Sequence, residues 1–237
     1  KITKHISNSY AGPLFMKEVQ SINMVLNSKK NPTTCIIGGS KISTKLGVIA
    51  TLIKKVDHLI IVGAMANNFI KFKGNKIGKS LIEANSEKII GKIYDKADKN
   101  NCKILIPLDF VVSESIDGEA NFKNFQDIQE NDIILDIGKK TIEKISKVID
   151  SSKTVLWNGP AGYFENPDFS KGTVSIAKKI SENTKTNTLI SIVGGGDTIS
   201  AIKNNGIDVN FTHLSTAGGA FLEYIEGKNL PGIEVLK

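Results

Sequence analysis

Short β-branched runs alternate with amphipathic helical patterns along almost all of this 237-residue chain, and that alternation restricts the fold more than any other feature. The runs are Thr33–Ile37, His58–Val62, Lys103–Leu108, Ile133–Ile137, Lys153–Trp157, Leu189–Val193 and Phe211–Leu214. Between them, Ile42–Lys55, Glu83–Lys99, Lys140–Ile149, Phe169–Ser181 and Ile199–Asn204 carry apolar and charged positions at helical spacing. Such alternation builds βαβ units. The expected class is therefore α/β, a Rossmann-like three-layer domain with a mainly parallel sheet and helices on both faces. An opening helix, Pro13–Asn27, places Leu14, Val19, Ile22 and Leu26 on one side, with Phe15 off it. The polar, acidic stretch Ser113–Asn131 reads as an excursion between strands.

Glycines gather where the runs end, at Gly38-Gly39, Gly63, Gly138, Gly159 and Gly194-Gly195-Gly196. Ligands of open α/β sheets bind beyond the carboxyl ends of the strands, so these glycines mark one working edge. In "SIVGGGDTISAI" (Ser191–Ile202) a buried-strand pattern passes through three glycines into a helix. Such a junction lets backbone approach a bulky group, and the helix start aims free N–H groups and its positive dipole end at an anion. Asp197 there has two readings, a helix cap or a hard oxygen ligand for a Mg²⁺ that carries phosphates. "CIIGGSKISTKLGVI" (Cys35–Ile49) sets Lys41 and Lys45 four apart. If helical, the spacing puts both ammonium groups on one face near the helix start, unfavourable unless an anion lies between. Two surface lysines are the plain alternative. "VLWNGPAGYFENP" (Val155–Pro167) places Asn158 at a strand end and Glu165 after a glycine-rich turn, where a carboxylate suits ribose hydroxyls. "HLSTAGGAFLEYIEG" (His213–Gly227) repeats the strand–glycine–helix junction, and its His213 reads as structural rather than catalytic.

Charge excludes several functions. The net charge of +7 is spread thinly, and every basic residue is lysine, with no arginine. Without the planar fork that grips guanine and phosphate bidentately, nucleic-acid binding is not expected. No apolar run approaches the ~20 residues of a membrane span. Lys1–Tyr10 lacks a methionine start and an apolar signal core. Cys35 and Cys102 have no metal-ligand spacing and read as buried free thiols of a reducing cytoplasm. "GNKIGKS" (Gly74–Ser80) has three residues between its glycines where a P-loop has four. No GxSxG occurs, and no G-x-G-x-x-G junction of a dehydrogenase is found. The residues alone describe a polyphosphate cradle.

"GGSKISTKLGVI", "VGAMANNF", "IGKSL", "LDIG", "WNGPAGYFE", "GGGDT" and "HLSTAGGAFLEYIEGKNLPG" resemble the successive signatures of the phosphoglycerate kinase family, in its order and spacing. The resemblance runs from about Ala11 to the end and covers the C-terminal, nucleotide-binding half of that enzyme. It implies transfer of a phosphoryl group between 1,3-bisphosphoglycerate and ADP, giving 3-phosphoglycerate and ATP, with Mg²⁺. By the same resemblance Lys41 would stabilise the phosphoryl group in flight and Lys45 would hold the nucleotide phosphates. Gly39 would belong to the same nucleotide site. Gly63, Ala64 and Leu135 would line the adenine slot, Asn158 and Pro160 would border phosphates and base, and Glu165 would take the ribose. Gly195 and Gly196 would offer amides, with Gly195 also catalytic, while Asp197 would bind Mg²⁺ and Thr198 a phosphate oxygen. Gly218, in a catalytic role, and Gly219 would head the helix facing the transferred group. The family often has Gly at position 64, Pro at 139 and Gly at 217, where this chain has Ala64, Lys139 and Ala217. Ala217 would disturb the backbone if its φ had to be positive.

Residues 1–10 are then expected to be the remnant of an inter-domain linker and 11–237 a nucleotide-binding domain. The arginines and histidine that grip phosphoglycerate would lie on a missing N-terminal domain. The expectations are a cytoplasmic monomer that binds nucleotide, with no nucleic-acid or membrane partner, and that turns over negligibly alone. A stand-alone nucleotide-binding regulatory module is the alternative.

Overall fold

All but one of the β-branched runs come together in a single six-stranded sheet. The fold is that of a computed structural model, which describes residues 5–6, 8–26 and 31–236. In chain order the strands are β1 (Thr33–Ile37), β2 (His58–Ile61), β3 (Lys103–Leu105), β4 (Asp109–Ser113), β5 (Asn121–Asn124), β6 (Ile133–Ile137), β7 (Thr154–Asn158), β8 (Ile190–Gly194) and β9 (His213–Leu214). The large sheet runs β3-β2-β1-β7-β8-β9, with every neighbouring pair parallel. The helices are α1 (Pro13–Leu26), α2 (Leu46–Leu52), α3 (Ala66–Phe72), α4 (Glu87–Lys99), α5 (Lys139–Ser151), α6 (Lys171–Lys185), α7 (Gly196–Asn204), α8 (Gly219–Glu226) and α9 (Pro231–Glu234).

Successive strand residues face opposite sides, so each side of the sheet takes its own core. Cys35, Ile37, Leu59, Ile61, Leu156 and Ile192 pack on one side with apolar residues of α1, α2, α3, α4 and α8. Ile36, Ile60, Val155, Trp157 and Val193 pack on the other with α5, α6 and α7. Strands buried on both faces read as continuous apolar runs, and β1 and β7 are buried throughout. This is the three-layer α/β arrangement expected. Cys35 is in β1 and Cys102 directly precedes β3; both are free and buried, and burial raises both thiols, Cys102 to about 11.

Several local expectations are corrected. Lys103–Leu108 is not one strand: Pro107, which has no N–H for a ladder, follows the end of β3, and the chain turns into a separate sheet. Ile133–Ile137 lies in that second sheet, ordered β5-β4-β6 and antiparallel, rather than in the parallel one. The Ser113–Asn131 excursion contributes β5 and the 3-10 turn Phe125–Asp127. Ile42–Lys55 divides into a 3-10 turn, Ser43–Lys45, and the shorter α2. Along α1, Leu14 is exposed while Glu18 and Ile22 are buried, so the inward side is rotated from the one expected. Asn27, the expected end of that helix, and Lys1–Lys4 and Ser7 of the expected linker lie outside the described residues.

A carboxylate explains why α1 turns Glu18 inward. Glu18 accepts from Thr216 N at 2.7 Å and Thr216 Oγ1 at 3.0 Å, and pairs with His213 Nε2 at 3.0 Å. His213 thereby ties α1 to the end of β9, a structural place. Lys139 opens α5 with Gly138 as its cap, and Asp109 receives Lys140 N at 3.0 Å and Thr141 N at 2.8 Å, so the helix starts cleanly without proline. Ala217 is not among the positive-φ residues and fits its backbone without strain.

The tips of β1, β2 and β7 meet through glycine. A Cβ on Gly38 would strike Pro160 O and the Gly159 backbone, and one on Gly63 would come within 2.8 Å of Gly39 N. Gly159, at φ +97°, faces the Gly38 backbone from the other side. Overpacking against backbone cannot relax as a side chain would. Gly38→Ala is therefore expected to lower folding stability by about 2 kcal/mol or more, read as a reduced urea midpoint, whereas Gly12→Ala, in open space and without a positive φ, is expected to cost far less.

Candidate functional site

Beyond those tips lies a cavity of about 380 Å³. The loops after β1 and β2 supply Gly39, Ser40, Gly63 and Ala64 to its wall, and α3 supplies Ala66, Asn67 and Ile70. The small sheet supplies Phe110, Leu135 and Asp136, and the loop after β7 supplies Pro160 to Glu165; Asp197 completes the rim. Among the sequence-predicted residues, Gly39, Gly63, Ala64, Leu135, Pro160, Glu165 and Asp197 thus share one cavity, with Glu165 and Asp197 exposed at it.

Lys45, Asn158, Gly194 and Thr198 form a hydrogen-bonded seat beside it. Lys45 Nζ donates to Gly38 O at 2.6 Å and to Asn158 Oδ1 at 2.8 Å. Asn158 Nδ2 in turn donates to Gly194 O at 2.9 Å. An ammonium has three donors, so one remains for a ligand. A side chain on Gly39 would meet that ammonium at 3.3 Å, which places Lys45 against the cavity wall. Burial holds the Lys45 pKa below the usual lysine range, with the Asp197 carboxylate pulling the other way. The Thr198 hydroxyl accepts from Gly159 N at 2.7 Å and donates to Gly194 O at 3.1 Å, so it is committed within the fold. What Thr198 offers a ligand is its first-turn amide.

The open donors lie at helix starts. Gly195 caps α7 at φ +103°, and the first amides of a helix have no intrahelical partner. Asp197 makes no capping bond there, so the cap reading is not what the structure holds. A Cβ on Gly196, Gly218 or Gly219 would meet nothing within 4 Å. These glycines border free space, unlike Gly38 and Gly63. Lys41, Gly218 and Gly219 are not part of the cavity wall. Lys41 is exposed in the loop before the 3-10 turn, so the shared helical face expected for Lys41 and Lys45 does not form. That loop is tethered: Glu83 Oε2 accepts from Ser43 N at 3.0 Å, and Thr44 Oγ1 donates to Lys41 O at 3.0 Å. Among the described residues no three His, Cys, Asp or Glu cluster as a metal site.

Asp136 and Asn67 went unnoticed in the sequence. Asp136 is buried at the cavity wall and accepts from Gly172 N at 2.7 Å and Ile137 N at 2.8 Å, joining β6 to the start of α6. Its only sequence signal is an acid inside an apolar strand. Burial pushes its pKa up to about 7, against the two amides, which favour the carboxylate.

Fold and site together define a parallel, doubly wound α/β protein with glycine-rich strand tips around a cavity and a seated lysine. The phosphoglycerate kinase family model matches residues 1–228. Phosphoglycerate kinase of Zymomonas mobilis is 41% identical over 235 residues, covering 98% of this chain and 59% of that protein. The Rhodopseudomonas palustris enzyme is 43% identical over 237 residues, again covering 98% and 59%. The solved structure of phosphoglycerate kinase from Coxiella burnetii superposes with a TM-score of 0.92 at 37% identity, covering all of this chain and 61% of that one. The chain belongs to the phosphoglycerate kinase family. It spans about three fifths of the length of these relatives.

Asp136 gives a pH test. Its folded pKa is raised, so its proton contributes stability fully below the ordinary value of 3.8, and that contribution is lost as pH rises towards about 7. D136N, which stays neutral, is expected to gain in urea midpoint relative to the unaltered protein between pH 5 and 8. A constant difference across that range would place the titration elsewhere.

Proposed function

We propose that this chain is the nucleotide-binding half of a phosphoglycerate kinase, working in phosphoryl transfer between 1,3-bisphosphoglycerate and ADP. The observation that carries the reading is the Lys45 ammonium held by Gly38 O and Asn158 Oδ1 beside a cavity whose rim also bears Asp197. Phosphoryl transfer asks a protein mainly for positioning and charge stabilisation. Lys45 presents its remaining donor to the nucleotide phosphates. Amides of Gly195, Gly196 and Thr198, with the positive end of α7, hold phosphate oxygens without needing a side chain. Gly63, Ala64, Leu135 and Pro160 enclose the base, and Glu165 accepts from ribose hydroxyls. Lys41 and the open amides at Gly218 and Gly219 face the group in transfer.

The residues fit Mg²⁺ in the manner usual for that ion, one carboxylate from Asp197 with substrate phosphates and water completing its shell. When bound, the ion neutralises phosphate charge. Residues 11–237 make up the nucleotide-binding domain in this reading, with residues 1–10 as linker. The grip on phosphoglycerate belongs to a partner domain outside these 237 residues, because a chain without arginine lacks the bidentate fork for a carboxylate and a phosphate. Among the described residues no helix is long and apolar enough to cross a membrane. A cytoplasmic monomer accords with the reading.

Titration of ADP and ATP with and without Mg²⁺ tests it. The unaltered chain is expected to bind more tightly with Mg²⁺. Asp197→Ala is expected to abolish that difference, and Lys45→Ala to weaken ADP about ten- to a hundredfold, matching one lost charge-assisted contact of roughly 1.5–3 kcal/mol. A Mg²⁺ effect that survives Asp197→Ala would remove that residue from the metal. Substantial kinase turnover by the 237 residues alone would defeat the need for a partner domain.

A further inference from the structure

The 3-10 turn Ser43–Lys45 follows Lys41 and needs an acceptor at its start, because a helical turn leaves its first N–H groups without an internal partner. Its own cap position cannot supply one. Ile42 makes no capping bond, and its apolar side chain is fully buried in the core. Glu83, forty residues further along the chain, does so instead: its Oε2 accepts from Ser43 N at 3.0 Å. Hydrogen bonds from the Ser43 hydroxyl and amide hold the Glu83 carboxyl below the usual carboxylate range, and the nearby Lys41 ammonium pulls the same way. Yet Lys41 forms no ion pair among the described residues. The carboxylate is spent on the peptide of the turn, and the exposed ammonium beside it stays available to an anion.

Glu83 is itself fixed from α3. Its N–H donates to Asn68 Oδ1 at 2.8 Å, an oxygen that also accepts from Ser86 Oγ at 3.1 Å. Asn68 Nδ2 donates to Met65 O at 3.2 Å, which locks that side chain at both ends. Two residues before Glu83, Leu81 O accepts from Asn67 Nδ2 at 3.1 Å. Asn67 and Leu81 line the cavity, whereas Ser43 and Glu83 do not. Bonds therefore run from the cavity wall through Glu83 to the turn behind Lys41. Lys45 anchors the end of that turn on Gly38 and Asn158, and Glu83 anchors its start. The Thr44 Oγ1 bond to Lys41 O lies inside the loop and shapes it without tying it to another element.

We infer that Glu83 is a positioning residue for phosphoryl transfer: by holding the start of the Ser43–Lys45 turn it sets where the Lys41 ammonium stands, an assignment that rests on the proposed place of Lys41 at the group in transfer.

Dissociation constants of ADP and ATP, measured on the 237-residue chain at fixed Mg²⁺, isolate the third phosphate. Lys41→Ala is expected to lower the ratio Kd(ADP)/Kd(ATP) about ten- to a hundredfold, as one lost charge-assisted contact does. Glu83→Ala is expected to lower the same ratio about threefold or more through misplacement of the ammonium, with ADP affinity held within about twofold. The double variant is expected to stay within about twofold of Lys41→Ala alone, since a residue that acts through another has nothing left to lose. Glu83→Gln keeps an acceptor oxygen for Ser43 N and is expected to keep most of the ratio. A merely structural carboxylate would lower the urea midpoint and leave the ratio where it was. An unchanged ratio in Glu83→Ala overturns the assignment, as do losses that add in the double variant or a loss in Glu83→Gln equal to that in Glu83→Ala. Loss of ADP binding in Glu83→Ala also overturns it, because the carboxylate would then serve the whole fold. If Lys41→Ala leaves the ratio unmoved, the proposed place of Lys41 falls and Glu83 falls with it, whereas a ratio that responds to Lys41 alone removes only Glu83.

Discussion

The site depends on backbone meeting backbone where β1, β2 and β7 end. Gly38 and Gly159 lie so close that neither tolerates a Cβ, and Gly63 closes on Gly39 beside them. The same peptide groups carry the hydrogen bonds that organise the edge. Gly38 O receives the Lys45 ammonium, Gly38 N donates to Asn158 O at 2.8 Å, and Gly159 N donates to Thr198 Oγ1. Gly63 N donates to Ala161 O at 3.1 Å, which brings the loop after β7 against the loop after β2. Contacts that make the tips compact therefore also aim a cation and a helix start at one space. Displacing one of these peptides would move the chemistry with it.

Glycine serves two unlike ends here. At Gly38, Gly63 and Gly159 it removes bulk so that protein can touch protein; at Gly196, Gly218 and Gly219 it leaves room that no protein atom fills. Both kinds look the same in a sequence, since each follows an apolar run. The edge of the sheet was legible from their clustering because strand ends are where a doubly wound fold opens. Which glycines face a ligand was not, because that depends on the neighbouring strand.

The three layers were legible for a related reason. β1 and β7 are buried on both faces, and only continuous β-branched runs satisfy both cores at once. The small sheet was not. Ile133–Ile137 is as β-branched as the central strands, and nothing local tells a strand to pair antiparallel with β4 rather than join β3. Its partner β4, Asp109–Ser113, begins just past the run Lys103–Leu108 that Pro107 interrupts, and was not marked as a strand. Lys41 and Lys45 show the converse error. Their spacing of four fits a helical face, but the loop leaving Gly39 makes a 3-10 turn, and Lys45 folds back onto Gly38 and Asn158 instead.

The cradle is built mostly from neutral groups whose directions the fold has already set. Backbone amides at the starts of α7 and α8 cannot swing away, so in the proposed reading they would hold an anion without ordering a side chain first. Lysine then supplies charge as a point rather than as a fork. Lys45 gives two donors to the protein and keeps one, which fixes its position, and among the described residues no carboxylate pairs with it at salt-bridge distance. An arginine in that seat would direct two parallel donors at one pair of oxygens, a geometry suited to gripping a group that stays. In the proposed reading, a preset array of dipoles with a few held point charges is the surface matched to a phosphoryl group that has to leave.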